Sequence, residues 1–261
     1  MSDMGEPRVV LEVDGAVGAI TLTGRGGGNA MDLAFVRELD DATAEVTRLA
    51  EAGGLTVVTV RARGRHFCVG GDLAEFQSVS DLPAHLDRMT VHAHRSMARL
   101  HELPVPLVVG VHGATAGAGW GFVLAADVVL AAASASFRPA YAAAGLTPDA
   151  GVSWALPRRI GSARALEVVL ANRRHPAAEL VEWGLVTRVV DDELLGAELD
   201  QLVDAMRALD PEVVRETKRL LHADDSLRDH LDDEARTIAA IATRAPAPPT
   251  LTSPAPQGDA S

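Results

Sequence analysis

One carboxylate, Asp149, stands in a turn within one of the most apolar parts of this 261-residue chain. The turn, residues 145–154, reads GLTPDAGVSW and follows the alanine-rich segment VVLAAASASFRPAYAAAG. Burial in apolar surroundings raises the pKa of a carboxyl group and improves it as a base. Pro-Asp-Ala-Gly is also an ordinary helix entry, which would make Asp149 the N-cap of a helix starting near Ala150. Taken locally, the turn favours the cap and leaves proton transfer open.

Two loops built from small residues could provide the matching electrophilic site. HFCVGGDL, residues 66–73, joins a strand to a helix, and HGATAGAGWGF, residues 112–122, repeats that arrangement. Gly70 and Gly71 let the backbone approach a ligand closely, and Asp72 is a candidate N-cap. Free N–H groups at helix starts favour negative charge, so two such loops meeting at one carbonyl oxygen would form an oxyanion hole. Taken alone, the first loop is better explained as a plain tight turn.

Neither loop has the sequence of a nucleotide-binding turn. No Gly-Lys-Ser/Thr follows either loop, and Gly117, Gly119 and Gly121 match a dinucleotide turn poorly. The glycines therefore indicate close backbone approach to a ligand rather than a phosphate cradle.

The elements that must position these residues alternate between strands and helices, which predicts an α/β domain. RVVLEVDGAVGAITLTG has the alternation of a hairpin, and LTVVTVRA, PLVVGVHG and ADVVLAAA have the composition of strands. Helical spacing covers residues 31–53 and 82–103, and most of the chain from about Ile160 onward, with LVTRVV as an interrupting strand. The last residues, 244–261, are rich in Pro, Ala and Ser without periodicity, so we expect them to be disordered.

Composition and charge exclude several partners. Hydrophobic residues make up 48% and charged residues 23%, as in a soluble globular protein. A net charge of −12 argues against nucleic acid, although a few local arginines could still hold a phosphorylated group. No run approaches the roughly 20 apolar residues of a membrane span, and no signal peptide is visible. The single cysteine, Cys68, fits a reducing compartment, so we expect a cytoplasmic protein that binds neither membrane nor nucleic acid.

These motifs resemble the crotonase superfamily of enoyl-CoA hydratases and isomerases. FCVGGDL, PLVVGVHGATAGAGWGFVLAADVVLAAASASF, GLTPDAGVSWALPRRIG and AAELVEWGLVTRVVDDELL occur in the family's order and spacing up to about residue 240. The resemblance implies an α/β fold with a spiral of β-β-α units in residues 1–195 and a helical trimerisation region in residues 196–243. It also implies an acyl-CoA substrate with no separate cofactor or metal, an enolate intermediate, and a homotrimer or pair of trimers.

Matched position by position, the family's two oxyanion N–H groups fall on Gly71 and Ala118. The family usually has glycine where this chain has Ala118, which keeps the backbone donor and adds a methyl group. The two glutamates of typical hydratases fall on Gly121 and Tyr141. Ordinary hydration by two glutamates is therefore not expected.

Asp149 is the catalytic group that the resemblance leaves. Isomerase branches of the family, and 4-chlorobenzoyl-CoA dehalogenase, carry a catalytic aspartate at this point of the turn. The leading hypothesis is a shift of a double bond from the 3- to the 2-position of an enoyl-CoA, with Asp149 as acid and base. One alternative is other crotonase chemistry, either hydration or a dehalogenase-like reaction with Asp149 as nucleophile assisted by His94. The other is a non-catalytic crotonase-like scaffold.

The resemblance also suggests residues that bind substrate. His94 falls where the dehalogenase branch has a pocket histidine, and Trp120 and Tyr141 would line the acyl pocket. Arg25 and Arg65 lie in loops that approach the CoA nucleotide in this family. The family's closing helix over the CoA end gives way here to ATRAPAPPTLTSPAP, which leaves an acyl chain on a carrier protein as a second possible substrate.

Overall fold

The computed structural model describes residues 6–244, which form two sheets surrounded by helices. Strands β1 (Val9–Asp14) and β2 (Val17–Leu22) pair antiparallel as the predicted hairpin. Beyond β2 every neighbouring pair of the larger sheet is parallel. The larger sheet has the order β1-β2-β3-β4-β6-β9, in which the remaining members are β3 (Val57–Ala62), β4 (Leu107–Val111), β6 (Val128–Ala132) and β9 (Arg188–Val190).

A smaller sheet runs beside it and is built from β5 (Ala114–Ala116), β7 (Ser136–Arg138) and β8 (His175–Pro176). Isolated parallel bridges between Cys68 and Thr115, and between Met31 and Gly71, continue this arrangement. After β3, β4 and β6 of the larger sheet, the chain therefore turns into a short segment of this second layer. This is the geometry of repeated β-β-α units.

Helices cover both layers. The first, α1 (Leu33–Glu51), begins where the Asp32 carboxylate accepts the Phe35 N–H. Helix α3 (Leu82–His101) packs against α1 and begins at Asp81, whose carboxylate accepts the Ala84 N–H. The others are α2 (Leu73–Ser78), α4 (Trp120–Ala125), α5 (Val152–Ile160), α6 (Ser162–Ala171), α7 (Ala177–Glu182), α8 (Leu195–Arg207), α9 (Pro211–His222) and α10 (Leu227–Ala242).

The predicted strand LVTRVV is shorter than expected. Leu185 and Val186 donate their N–H groups to the Leu180 carbonyl and so close α7, which delays the strand until Arg188. The following helical region is joined to the core through Lys218, whose Nζ lies 2.7 Å from Asp127 Oδ2 and 3.0 Å from the Val105 carbonyl. The division at residue 195 stays a prediction, and all but the first residue of the predicted disordered tail, 244–261, lies outside the described residues.

Apolar side chains on α10 and its neighbours point away from the core. Leu221, Leu227 and Ile238 are 80%, 75% and 71% exposed. Within residues 6–244 no helix has both the length and the apolar character needed to cross a membrane.

Candidate active site

The first predicted oxyanion donor lies where β3 gives way to α2. Asp72 caps α2, because its Oδ1 accepts the N–H groups of Ala74 at 2.9 Å and Glu75 at 3.1 Å. Met31 bonds to the residues on either side of Gly71, receiving from the Asp72 N–H and donating to the Gly70 carbonyl. In a parallel bridge this pattern turns the N–H of the residue between them away from the partner strand. The Gly71 N–H is therefore free to face a ligand.

The second predicted donor, Ala118, lies in a single turn of 3₁₀ helix, Gly117–Gly119, just before α4. Donors at the start of such a turn have no acceptor inside the helix. The two loops press against each other at Gly70. A Cβ atom there would lie 2.8 Å from the Ala116 carbonyl oxygen and 3.3 Å from the Ala118 nitrogen, and the φ angle of +85° also favours glycine. The close contact holds the Gly71 and Ala118 loops together.

A cavity of about 600 Å³, here called the front cavity, lies against both donors. Asp149 and Tyr141 line it together with Gly71 and Ala118. The rest of its wall is mainly apolar and comes from α1, α2, α3 and the turn before α5, through Met31, Val36, Val69, Leu73, Phe76, Leu86, Met89, Ala93 and Leu146. A long apolar chain attached to a polar carbonyl fits this combination of surfaces.

Asp149 is held by a tyrosine and does not cap a helix, so the capping interpretation is wrong. Helix α5 starts at Val152 with Gly151 at the cap position and no side-chain capping bond. The reason is a left-handed turn, since Ala150 and Gly151 have φ angles of +50° and +78°. This turn leaves the Asp149 carboxylate free for the Tyr141 hydroxyl, which donates to Oδ1 at 2.9 Å.

The electrostatic surroundings of Asp149 and Tyr141 favour Asp149 as a base. Burial raises the pKa of Asp149 above its ordinary value, while the Tyr141 hydrogen bond and the charge of His94 act in the opposite direction. Burial and the neighbouring Asp149 carboxylate raise the pKa of Tyr141 as well. Tyr141 therefore stays a neutral donor, and Asp149 holds a proton more strongly than an exposed aspartate does.

The two positions matched to the family's glutamates, Tyr141 and Gly121, differ in the space around them. Tyr141 lines the front cavity beside Asp149. At Gly121 a Cβ atom would lie 2.7 Å from the Ala150 carbonyl oxygen and 2.9 Å from the Met97 sulfur. Backbone within this distance cannot move aside cheaply, so the Gly121 position has no room for a longer side chain.

Of the five residues expected to bind substrate, Tyr141 lines the front cavity and His94 lies close by. His94 is exposed and faces a second cavity on the other side of Asp149. Trp120 does not line either cavity, which corrects the expectation. Its side chain is 1% exposed and meets the Phe137 ring edge to face at 5.9 Å.

Arg25 and Arg65 lie outside both cavities. Their loops touch, because the N–H groups of Arg65 and His66 donate to the Gly27 carbonyl at 2.8 and 2.9 Å. Both arginines are exposed, so the structure brings them to one edge where a phosphate could reach them. In the described part of the chain, no group of three or more His, Cys, Asp or Glu is arranged to hold a metal ion.

Phe76 is a site residue that the sequence did not reveal. A Cβ atom on Gly71 would lie 2.6 Å from the Phe76 ring, so this ring packs directly on the first oxyanion loop. Its position four residues after the N-cap Asp72 places it in the first turn of α2, and that spacing was the available signal.

Most of the chain is similar to a known family of proteins. The Enoyl-CoA hydratase/isomerase family profile matches residues 12–242. The 1,2-epoxyphenylacetyl-CoA isomerase of Escherichia coli K12 is 40% identical over 53% of this chain and 54% of its own length, so the match spans about half of that relative. The 4-chlorobenzoyl coenzyme A dehalogenase-2 of an Arthrobacter species is 29% identical over 74% of this chain and 69% of its own length.

The fold is also similar to that of a solved structure. A protein of Thermobifida fusca YX, described as an enoyl-CoA hydratase and crystallised in complex with CoA, superimposes with a TM-score of 0.79 and 27% identity. The match covers 91% of this chain and 93% of that one. The chain belongs to the enoyl-CoA hydratase/isomerase (crotonase) family, a family of enzymes that act on acyl-CoA. The predicted α/β crotonase fold is confirmed.

Proposed function

We propose that this protein is an enoyl-CoA isomerase that moves a double bond from the 3- to the 2-position of an acyl thioester. The observation that carries the proposal is the Asp149 carboxylate with its raised pKa, which lines the same cavity as Gly71 and Ala118. An isomerase needs one group that first accepts and then returns a proton. A single carboxylate beside an oxyanion hole supplies this division of labour.

The proposed reaction begins when the thioester carbonyl oxygen accepts the Gly71 and Ala118 N–H groups. Asp149 then takes a proton from C2, and the C2–H electron pair enters the conjugated dienolate, whose negative charge rests largely on the carbonyl oxygen. Asp149, now neutral, returns a proton to C4. The double bond ends between C2 and C3, and the carboxylate regains its charge, so no other reactant is needed.

Tyr141 has a positioning role in this scheme. Its hydroxyl holds Oδ1 of Asp149 at 2.9 Å, which leaves Oδ2 for proton transfer. It also lowers the Asp149 pKa against the larger effect of burial, so the carboxylate stays ionised at a lower pH than burial alone would allow.

Known relatives support the class of substrate. The E. coli relative is named as an isomerase of a CoA thioester, and the Thermobifida structure holds CoA. The pair Arg25 and Arg65 would meet the CoA phosphates at the exposed edge. A homotrimer and a cytoplasmic location stay predictions.

The test is turnover of a panel of 3-enoyl thioesters, on both CoA and a carrier protein, followed by the absorbance of the conjugated product. We expect Asp149→Asn to lower kcat about 10²- to 10⁴-fold, because it removes the acid–base group. Asp41→Asn, an exposed carboxylate on α1, is the matched control and should keep full activity. Undiminished activity in Asp149→Asn would contradict the assignment.

A second candidate has one observation in its favour. The charge of His94 acts on Asp149, as a histidine that assists a nucleophilic aspartate would, and one relative is named as a dehalogenase. An aryl adduct on Asp149 seen by mass spectrometry with 4-chlorobenzoyl-CoA would establish this reaction. The front cavity favours it less, because Phe76 and Tyr141 are the only aromatic side chains that residues 6–244 contribute to it. A lack of turnover with every thioester, together with no rise in melting temperature on adding CoA, would instead indicate a scaffold.

A further inference from the structure

Asp149 stands in a wall between two cavities. The second, here called the rear cavity, measures about 620 Å³ and lies between α3, α4 and the start of α5. Asp149 and Thr147 are the residues that line both. The front cavity reaches Asp149 from the oxyanion loops, whereas the rear cavity reaches it from the side of His94.

Exposed polar side chains line part of the rear cavity beyond Asp149. His94, Glu102 and Ser153 line it and are all exposed, so the cavity is continuous with solvent along these residues. A chain of water molecules needs hydrogen-bonding partners, and these three side chains supply them on the rear side of Asp149.

The two oxygen atoms of the Asp149 carboxylate have different surroundings. Oδ1 accepts the Tyr141 hydroxyl, and Tyr141 belongs to the front cavity. Oδ2 has no protein hydrogen bond among the described residues and is not enclosed by them, since it is absent from the buried polar atoms that lack a partner. The charge of His94 is also felt at Asp149 from the rear.

We propose that the rear cavity is a water route to Asp149, through which the carboxyl proton exchanges with solvent between the two halves of the double-bond shift. The inference rests on the proposed isomerase function. After Asp149 has taken the C2 proton, its neutral carboxyl group exchanges that proton for one from a water molecule in the rear cavity. The proton then delivered to C4 comes from solvent, and water carries away the proton from C2.

The experiment is isomerisation of a 3-enoyl-CoA in D₂O, stopped in the first few per cent of conversion to avoid the reverse reaction. Mass spectrometry and proton NMR then locate deuterium in the product. The wild-type protein should place one deuterium at C4 in most product molecules. Ala98→Phe, on the exposed rear wall of α3, should lower that fraction at least threefold while kcat changes less than about twofold.

Two further variants make the result decisive. Ser153→Phe fills the same space from α5 and should behave like Ala98→Phe, so the outcome does not depend on the folding of one variant. Ala178→Phe, an exposed alanine on α7 far along the chain from either cavity wall, is the matched control and should incorporate deuterium as the wild type does.

Wild-type product without deuterium at C4 would overturn the inference, because Asp149 would then return the proton it removed. Unchanged deuterium in both filled variants would overturn it too, because exchange would then occur through the front cavity. In either case the isomerase function would stand. Absence of any conjugated product would instead refute the proposed function, and this inference with it.

Discussion

Asp40 and Asp149 are both shielded from water, but their carboxylates have different kinds of partner. Asp40 on α1 is 8% exposed and contacts three basic side chains of α3. His92 Nδ1 lies 2.7 Å and Arg95 3.1 Å from its Oδ2, and Arg99 pairs with Oδ1. Asp149 has one neutral donor, Tyr141.

The pKa values of the two carboxyl groups move in opposite directions. At Asp40, burial would raise the pKa, but hydrogen bonds from His92 and Arg99 and the charge of Arg95 together hold it below the ordinary value. At Asp149, burial prevails and the pKa is raised. The difference lies in the partners, since Asp40 has three basic side chains and Asp149 has one neutral hydroxyl.

Asp40 serves the structure, whereas the surroundings of Asp149 suit the proposed chemistry. Asp40 has its charge satisfied and joins α1 to α3, the helix that carries Met89 and Ala93 of the front cavity wall. Asp149 keeps an incompletely satisfied charge in an apolar cavity. Buried charge without a counter-ion costs stability, and that cost is typical of catalytic groups.

Removing the charge of Asp40 should have the largest effect, which is a loss of stability. Asp40→Asn leaves Arg95 and Arg99 without their anion and should lower the free energy of unfolding by about 2 kcal/mol, less than a fully buried pair because both arginines are part exposed. At about 2–4 °C per kcal/mol this is a fall in Tm of roughly 4–8 °C.

The pH dependence of that difference is a second readout. Because the folded pKa of Asp40 is depressed, its stabilising effect is present above the ordinary aspartate pKa and disappears as the pH falls through the folded value. The Tm difference should therefore shrink in acid. Asp41→Asn, exposed on the same helix, should leave Tm unchanged. An equal fall in both variants would mean that Asp40 has no special role.

Removing the Tyr141 hydroxyl should increase the difference between the pKa values of Asp40 and Asp149. Tyr141→Phe takes away the hydrogen bond that opposes burial, so the Asp149 pKa should rise further. The acid limb of the kcat/KM profile should move to higher pH, and kcat should fall about tenfold, equivalent to about 1.4 kcal/mol. A fall in kcat with an unmoved acid limb would contradict the positioning role.

The smallest effect should be a gain in stability. Asp149→Asn keeps the shape and the acceptor for Tyr141 while removing a charge whose folded pKa is raised. The wild type loses stability as the pH rises from the ordinary aspartate pKa through the folded one, so the variant should be more stable at pH 8. We expect a rise in Tm of roughly 1–3 °C, using about 2–4 °C per kcal/mol. A lower Tm at pH 8 would show that the charge is compensated.

The sequence predicted the elements and the site loops well, because their signals are local. Alternating apolar residues mark β1 and β2, and the glycines of the two loops mark close approach. It did not predict the Asp40 cluster, because His92, Arg95 and Arg99 meet Asp40 only through the packing of α3 on α1. Such a contact depends on the relative rotation of two helices, which periodicity does not specify.

Trp120 shows another limit of the sequence. All six residues of α4 are buried, so this helix has no polar face from which an inward side could be inferred. The prediction that Asp149 is a helix N-cap was wrong for a different reason. Ala150 adopts a left-handed conformation that alanine rarely takes, and the helix therefore begins two residues later than the motif indicates.

The close contact at Gly121 limits which acidic side chains this backbone can carry. The atom that blocks a side chain there is the carbonyl oxygen of Ala150, in the turn that presents Asp149. A glutamate at position 121 would therefore require the Ala150 backbone to move, and with it the turn that carries Asp149. In this backbone a side chain at position 121 and the carboxylate at position 149 exclude each other.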